Sequence, residues 1–419
     1  MIKLNGEVTD RENFFQGADP FELIEKYGSP LYIYNERILR QRVREMKNLV
    51  SYENFRVNFS AKANSNIAFL QIVKDEGIDV DAMSPGEIEA ELMAGFKPEN
   101  ILYISNNVSE EEMQYAINKG IKTSVDSLSQ LEQYGRLNPG GKVAVRFNPG
   151  VGAGHHKKVI TGGKETKFGV NEEYIPQVKE ILEKYSLTLI GINQHIGSLF
   201  MDGGAYIEGA KNLINIAKHF EDLEFIDLGG GFGIPYKKQY GEERLNLSGL
   251  GEKLSEFIEA FVSEYGKKLI FKIEPGRYIS AECGLLLGQV HAVKMNGDEK
   301  YIGTDLGFNV LARPMMYDSF HGIEVYTKRE NPEKVTEIAS IVGNICETGD
   351  IIAGKRELPV IHEGDIIGVL DAGAYGMVMS SNYNNRLRPA EVFIRENGEV
   401  KLVRKRDNIE DLLKNYISL

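Results

Sequence analysis

Short β-rich segments recur along the first part of the chain with helical patterns between them, at residues 57–60, 78–83, 101–105, 123–125, 143–148, 189–197, 225–229 and 269–274. Eight strand-helix alternations over roughly 220 residues predict an α/β fold, a parallel (β/α)8 TIM-type barrel that carries its active site at the C-terminal ends of the strands. The connecting pieces hold helix signals. Ser84-Pro85-Gly86-Glu87 combines a capping serine, a proline at the first helical position and a glutamate where a capping box wants it, and Ser109-Glu110-Glu111-Glu112 repeats the theme. After Gly276 the helical periodicity gives way to β runs at 285–293, 300–305, 323–327, 336–342, 365–370 and 390–405. A mainly β C-terminal domain is therefore expected, joined by the N-terminal segment: residues 38–280 form the barrel, and 1–37 with 281–419 form the β domain. Asn397-Gly398 between alternating segments predicts a two-residue hairpin turn.

The net charge of −12, from 49 basic against 61 acidic side chains, argues against nucleic acid or an anionic membrane as partner. The charged start lacks the apolar stretch of a signal peptide, and no run of ~20 apolar residues exists, so the expected location is the cytoplasm. Cys283 and Cys346 are the only cysteines, too few for a disulfide framework or a cysteine-rich metal site. The adjacent His155 and His156 lack a third ligand, and no metal is assigned.

Lys62 lies where the first predicted strand meets a loop, among the small residues of FSAKANSN. A lysine desolvated in such a place is a neutral amine able to form a Schiff base with a carbonyl compound, although most strand-end lysines are only solvated surface residues. His195, at the end of the sixth strand in GINQHIGS, offers a planar ring for stacking, and the Ser198 hydroxyl is able to donate to phosphate. In IDLGGGFGIPY, Gly229, Gly230 and Gly231 let backbone N–H groups approach an anion closely. Their spacing fits neither a dinucleotide fingerprint nor a nucleoside-triphosphate loop, which leaves a cofactor with a single phosphate. Glu274, ending the eighth strand in Glu274-Pro275-Gly276-Arg277, is placed to keep a heterocyclic nitrogen protonated, and Arg277 to hold an anion. Taken singly, each is as readily a hydrogen-bonded histidine, a tight turn or a surface ion pair. An amine, a ring support, an anion site and an electron-sink partner together specify pyridoxal 5'-phosphate.

With those residues in place the chain resembles the pyridoxal-phosphate decarboxylases built on an alanine-racemase-like barrel. The likeness runs in order through FSAKANSN, HIGS, GGGFGIPY, EPGR, RPMMY, CETGD, DAGAYG and SNYNNRLRPAEV. CETGD and the last segment favour the branch that acts on meso-2,6-diaminopimelate over the ornithine and arginine branches. The resemblance implies a carboxy-lyase that yields L-lysine and carbon dioxide, working as a homodimer with shared active sites. It implies that Lys62 carries the cofactor and that Tyr375 helps bind its phosphate. Cys346 becomes the candidate acid that protonates the carbanion in the neighbouring subunit, with Lys62 as the alternative. Glu347 becomes the partner of the substrate's distal ammonium, and Arg277, Arg313 and Tyr317 the clamp for its distal carboxylate.

Rival readings keep the barrel and change the substrate to ornithine, lysine or carboxynorspermidine, or make the chain a non-catalytic regulatory homologue. Arg313 argues against monocarboxylates, and retention of Lys62, Glu274, Cys346 and Tyr375 against a silent protein. The segment from Gly150 to Gly169 departs from the pattern of similar proteins, with Ile160 where serine is common, and its six glycines predict a mobile lid. Leu199 after HIGS, Pro85 in place of a glycine, and RLRP in place of RPRP are further departures that bear on substrate rather than cofactor.

Overall fold

The computed structural model describes all residues except 1, 5, 155–160, 164–165, 331 and 334, so His155, His156 and Ile160 lie outside the described residues. The chain divides into two compact units, one of residues Arg40–Ile234 and Arg244–Ile279, the other of Met1–Leu39, Pro235–Glu243 and Ser280–Leu419.

The first unit is a closed barrel of parallel strands, Phe55–Ser60, Asp79–Ala82, Ile101–Ile104, Lys122–Val125, Lys142–Arg146, Thr188–Asn193, Phe225–Asp227 and Ile270–Ile273. The last strand closes on the first, with Phe271 opposite Phe55 and Ile273 opposite Val57. Alternate side chains of a strand share a face. At the base of the barrel Phe225 packs with Leu102, Ile104, Ala144 and Ile190, against partly buried Ile270. Gly191 makes room for that ring, since a Cβ there would stand 2.2 Å from it. Two residues further along the same columns come Asp227 and Lys272, and two further again Gly229 and Glu274. Apolar base gives way to polar rim by strand alternation alone. Outside, the helix Ile67–Asp75 buries Phe69, Leu70, Ile72 and Val73, and Phe69 stacks on Phe59 with ring centroids 5.5 Å apart. Full burial of one such side chain contributes about 1.5–3 kcal/mol.

Ser109 and Glu112 close a capping box, as expected. At the helix Pro85–Ala94, Ser84 does cap Glu87 N–H, but Glu87 accepts from Met83 N–H at 2.7 Å, one residue before the N-cap, so that box is not closed. The sixth strand stops at Asn193 rather than running on to 197. His195 therefore lies two residues past its end, and Gly197–Ser198 pairs separately with Ala153–Gly154.

The second unit is built on a sheet of ten strands among the described residues. Leu31–Asn35 pairs parallel to Ala390–Ile394 and antiparallel to the start of Gly284–Asn296, which places the N-terminal segment inside this sheet. The strand Ile351–Pro359 has no counterpart among the expected runs, because Lys355, Arg356 and Glu357 interrupt its apolar pattern. The hairpin at Asn397-Gly398 is wider than two residues. Arg395 and Glu399 make its last backbone pair at 2.8 Å, and Gly398 takes φ +82 in the intervening turn. Residues 235–243, within the range read as barrel, group with this unit, where Lys238 Nζ lies 2.9 Å from Glu282 and 2.8 Å from Asp371, both buried.

Candidate active site

In the barrel unit Lys62 occupies a one-turn 3-10 segment, Ala61–Ala63, directly after the first strand. Three carboxyl groups, Asp81, Glu87 and Glu274, act electrostatically on it. Asp81 ends the second strand's inward column and accepts from Ser60 Oγ at 2.8 and 3.1 Å. Burial pushes its carboxyl up to about 7, opposed by Lys62 and by the Ser60 bond. Glu274, just past the last strand, is 4% exposed and has one carboxylate oxygen, Oε1, with no hydrogen-bond donor among the described residues. Burial first, then Asp227 and Asp81, raise it well above the usual carboxylate range, against the pull of Lys62 and Arg146.

His195 accepts a hydrogen bond at Nδ1 from Gly230 N–H, 3.2 Å away, which fixes its proton on Nε2 when the ring is neutral. Burial of the ring, followed by the charges of Lys62 and Arg146, lowers its pKa well below the ordinary value and keeps it neutral. The glycines after the seventh strand are required by backbone contact. A Cβ at Gly229 would lie 2.2 Å from Gln194 O, one at Gly230 2.0 Å from Glu274 O, and Gly229 and Gly231 take φ +77 and +107. Arg277 opens the short helix Arg277–Ser280 and donates from Nη2 to Ser198 Oγ at 2.7 Å. The described ends of the expected lid are pinned to the rim. Thr161 Oγ1 donates to His195 O at 2.9 Å, and the Phe168 ring lies under the Arg146 guanidinium, 4.6 Å from its centroid.

The remaining expected residues lie in the β unit. Arg313 begins the helix Arg313–Tyr317, is 1% exposed, and sets Nη1 2.8 Å from His321 Nε2 and its guanidinium 4.8 Å from the Tyr236 ring centre. His321 Nδ1 faces Leu370 O at 2.7 Å, so the ring proton sits on Nδ1 and Nε2 accepts from the arginine. Tyr317 closes that helix. Cys346 and Glu347 are exposed in a loop held by Asp350, which accepts from Phe308 N–H at 2.6 Å and Ile345 N–H at 2.8 Å. Cys346 N–H donates to Asn384 Oδ1 at 3.0 Å, tying CETGD to SNYNN. Tyr375 stands at φ +54, rare for an aromatic residue, in a turn so tight that a Cβ on Gly373 would lie 1.9 Å from Ser280 O.

A family model for the pyridoxal-dependent decarboxylase pyridoxal-binding domain matches residues 36–281. Diaminopimelate decarboxylase of Methanothermobacter thermautotrophicus is 42% identical, covering 97% of this chain and 96% of its own. The chain belongs to the diaminopimelate decarboxylase family. Its Escherichia coli relative of that name is 33% identical over 93% of this chain and 94% of the relative. The crystal structure of the Helicobacter pylori enzyme of that name, complexed with L-lysine, superposes with a TM-score of 0.86 at 30% identity, covering 94% of this chain and 98% of that one.

Pyridoxal phosphate is the cofactor of this decarboxylase family, and the barrel rim fits it. Glu274 Oε1 is a buried acceptor lacking a donor among the described residues, and the cofactor's protonated ring nitrogen is such a donor. Sequence reading missed Asp81, Glu87, Arg146 and Asp227. For Asp81, Arg146 and Asp227 the signal was present as polar residues at or near strand ends, Asp79-Val80-Asp81 above all, where an apolar column would otherwise continue. It also placed Lys62 in a merely desolvating setting, whereas the structure surrounds it with acidic groups.

Proposed function

We propose that this protein decarboxylates meso-2,6-diaminopimelate to L-lysine and carbon dioxide with pyridoxal phosphate, acting in the cytoplasm as a homodimer. The observation that carries the reading is the convergence at one barrel rim of Lys62, neutral His195 and a buried Glu274 with an orphaned oxygen. The cofactor supplies an electron sink for the pair left on the substrate's α-carbon as carbon dioxide departs.

In this reading Lys62 anchors the cofactor and yields it to the substrate's amine. Glu274 holds its carboxylate at the ring nitrogen, and His195, kept neutral by burial, supports the ring face without adding a competing positive charge. Ser198, Gly230, Gly231, Arg277 and Tyr375 hold the phosphate. Arg277, Arg313 and Tyr317, with Tyr375, receive the substrate's carboxylate end, for which a planar guanidinium gives a bidentate fit. Glu347 pairs with the distal ammonium, and Cys346 or Lys62 returns the proton to the α-carbon. The exposure of Cys346 and Glu347 on the single chain supports their service in a neighbouring subunit's site. Nearby Met315 and Met316 are 48% and 40% exposed, apolar surface of the kind a subunit interface covers.

The deciding experiment supplies purified protein with pyridoxal phosphate and measures carbon dioxide release from meso-diaminopimelate, lysine and ornithine. Release from meso-diaminopimelate with little from the other two is expected. Preference for ornithine or lysine removes the substrate assignment, and no release from any of them removes the enzyme.

A further inference from the structure

Asn148 stands two residues past the fifth strand, within the barrel unit, and belongs to none of the roles above. It is buried, and its side-chain amide makes four hydrogen bonds. Oδ1 accepts from Gly150 N–H at 3.1 Å and Gly163 N–H at 3.2 Å, and Nδ2 donates to Gly163 O at 2.9 Å and to Asn171 Oδ1 at 3.0 Å. Two lone pairs and two N–H groups are all that such an amide has, so its capacity is filled. The partners also fix its orientation, because a reversed amide would set its NH2 against two N–H groups. One side chain thus ties the start of the segment 150–169 to Gly163 on its returning side and to Asn171 beyond its end.

From there the segment meets the run that follows the sixth strand. Thr161, two residues from Gly163, donates from Oγ1 to His195 O at 2.9 Å and from its backbone N–H to Ile196 O at 3.4 Å. Ala153–Gly154 pairs parallel with Gly197–Ser198. The segment's two sides also press on one another, since a Cβ on Gly162 would lie 2.0 Å from Val151 O. Every residue from 195 to 198 is therefore backed by the segment that Asn148 holds. The His195 ring is gripped by Gly230 N–H, and its backbone by Thr161.

We propose that Asn148 is a positioning residue for the cofactor site: through Gly150, Gly163 and Thr161 it braces residues 195–198, and so sets where the His195 ring and the Ser198 hydroxyl meet pyridoxal phosphate. The inference rests on the reading that those two residues hold the cofactor. It gives the described parts of the expected lid a duty toward the cofactor rather than the substrate. Groups that must meet a ligand in one geometry depend on such supporting bonds behind them. Asparagine is the residue the place requires. Aspartate has nearly the same shape and keeps both accepting positions, but it loses both donors and sets a carboxylate against Gly163 O and Asn171 Oδ1.

The test titrates full-length protein with pyridoxal phosphate, reading its affinity from the visible absorption, and then measures kcat and KM for meso-diaminopimelate at saturating cofactor. Asn148→Asp and Thr161→Val are each expected to weaken cofactor binding roughly 5- to 50-fold, while Thr161→Ser, which keeps the hydroxyl, stays within about threefold of wild type. KM at saturating cofactor should move by less than about twofold in all three. The double variant Asn148→Asp/Thr161→Val should bind within about threefold of the weaker single variant, because both substitutions cut the same brace. A general loss of stability would produce neither the rescue by serine nor that coupling. Asn148→Ala, which brings no charge, takes the place of Asn148→Asp if the latter does not fold. Unchanged cofactor affinity in the Asn148 and Thr161→Val variants, a rise in KM alone, or effects that multiply in the double variant overturn the inference. His195→Ala separates it from the reading beneath it. If His195→Ala weakens cofactor binding and the Asn148 and Thr161 variants do not, the inference alone fails; if His195→Ala leaves the affinity unchanged, the reading of the cofactor site fails with it.

Discussion

Tyr383 donates its hydroxyl to Glu347 Oε1 at 2.6 Å and stacks on Phe308, with ring centroids 5.7 Å apart. Two segments far apart in sequence, CETGD and SNYNNRLRPAEV, thus form one structural piece, further joined by the bond from Cys346 N–H to Asn384. Glu347 is aimed by a neighbour rather than by its own loop.

If Glu347 receives the substrate's distal ammonium, Tyr383→Phe loosens it without touching the cofactor's ligands. A several-fold rise in KM with nearly unchanged kcat is expected, because the interaction lost is a binding one. Unchanged KM would detach Glu347 from substrate binding.

Lys62 should be the residue to which the cofactor is fixed. Borohydride reduction of protein loaded with pyridoxal phosphate, followed by peptide mapping, is expected to place the pyridoxyl group on Lys62, and Lys62→Ala should lose the visible absorption of the loaded enzyme. A label on another lysine would relocate the site.

If the active sites are shared between two subunits, a statistical prediction follows. Lys62→Ala and Cys346→Ala should each be nearly inactive, yet mixed and allowed to exchange subunits they should recover activity, since about a quarter of the sites in randomly paired dimers draw both residues from intact chains. Proven exchange without recovery would show that each site is built from one chain.

How far the sequence carried the reading depended on whether a residue's neighbours were local. The barrel was legible because each strand-helix unit announces itself by period and cap, and Lys62, His195 and Glu274 were legible because they stand at or just past strand ends. The acidic surroundings of Lys62 were not, since Asp81 and Glu274 come together only when the barrel closes. Asp227 looked like an ordinary strand residue before the glycines. The contact of the Tyr236 ring with Arg313 depends on segment 235–243 joining the β unit, which no local pattern reveals.

Glu91 gives a prediction about stability. It is fully buried on the helix Pro85–Ala94, neither carboxyl oxygen has a partner among the described residues, and burial, then Asp81 and Glu87, push its pKa to about 9. Its unfolded value is roughly 4.3. Between those values folding takes up a proton, so stability falls as pH rises through the window, and the cost is complete above about 9. Glu91→Met, similar in volume and without polar atoms, should stabilise the protein by about 1–3 kcal/mol at pH 8 and by less at pH 5. Denaturant unfolding at the two pH values measures the difference, and equal or negative changes would mean that Glu91 is satisfied in solution.

If Arg313 receives the substrate's distal carboxylate, it governs substrate choice, and its setting makes the test more demanding. Its guanidinium is buried, with Nη1 near His321 and its plane near Tyr236, so it is held in place before any substrate arrives. A prepositioned arginine loses little side-chain freedom on binding a carboxylate, which raises the discrimination it provides. A buried charge-assisted contact left without its partner costs on the order of 2–4 kcal/mol, or roughly 30- to 1000-fold in kcat/KM. The wild type should therefore favour meso-diaminopimelate over lysine and ornithine by that order. Arg313→Met should lower kcat/KM for meso-diaminopimelate correspondingly while leaving the slow reaction with lysine nearly unchanged. His321 loses a donor in that variant, so a control is needed: His321→Gln, which leaves Arg313 in place, should reduce both substrates alike or neither. If Arg313→Met instead reduces lysine and meso-diaminopimelate by the same factor, Arg313 supports the fold of the β unit and the distal carboxylate is bound elsewhere, with Arg277 the next arginine to examine.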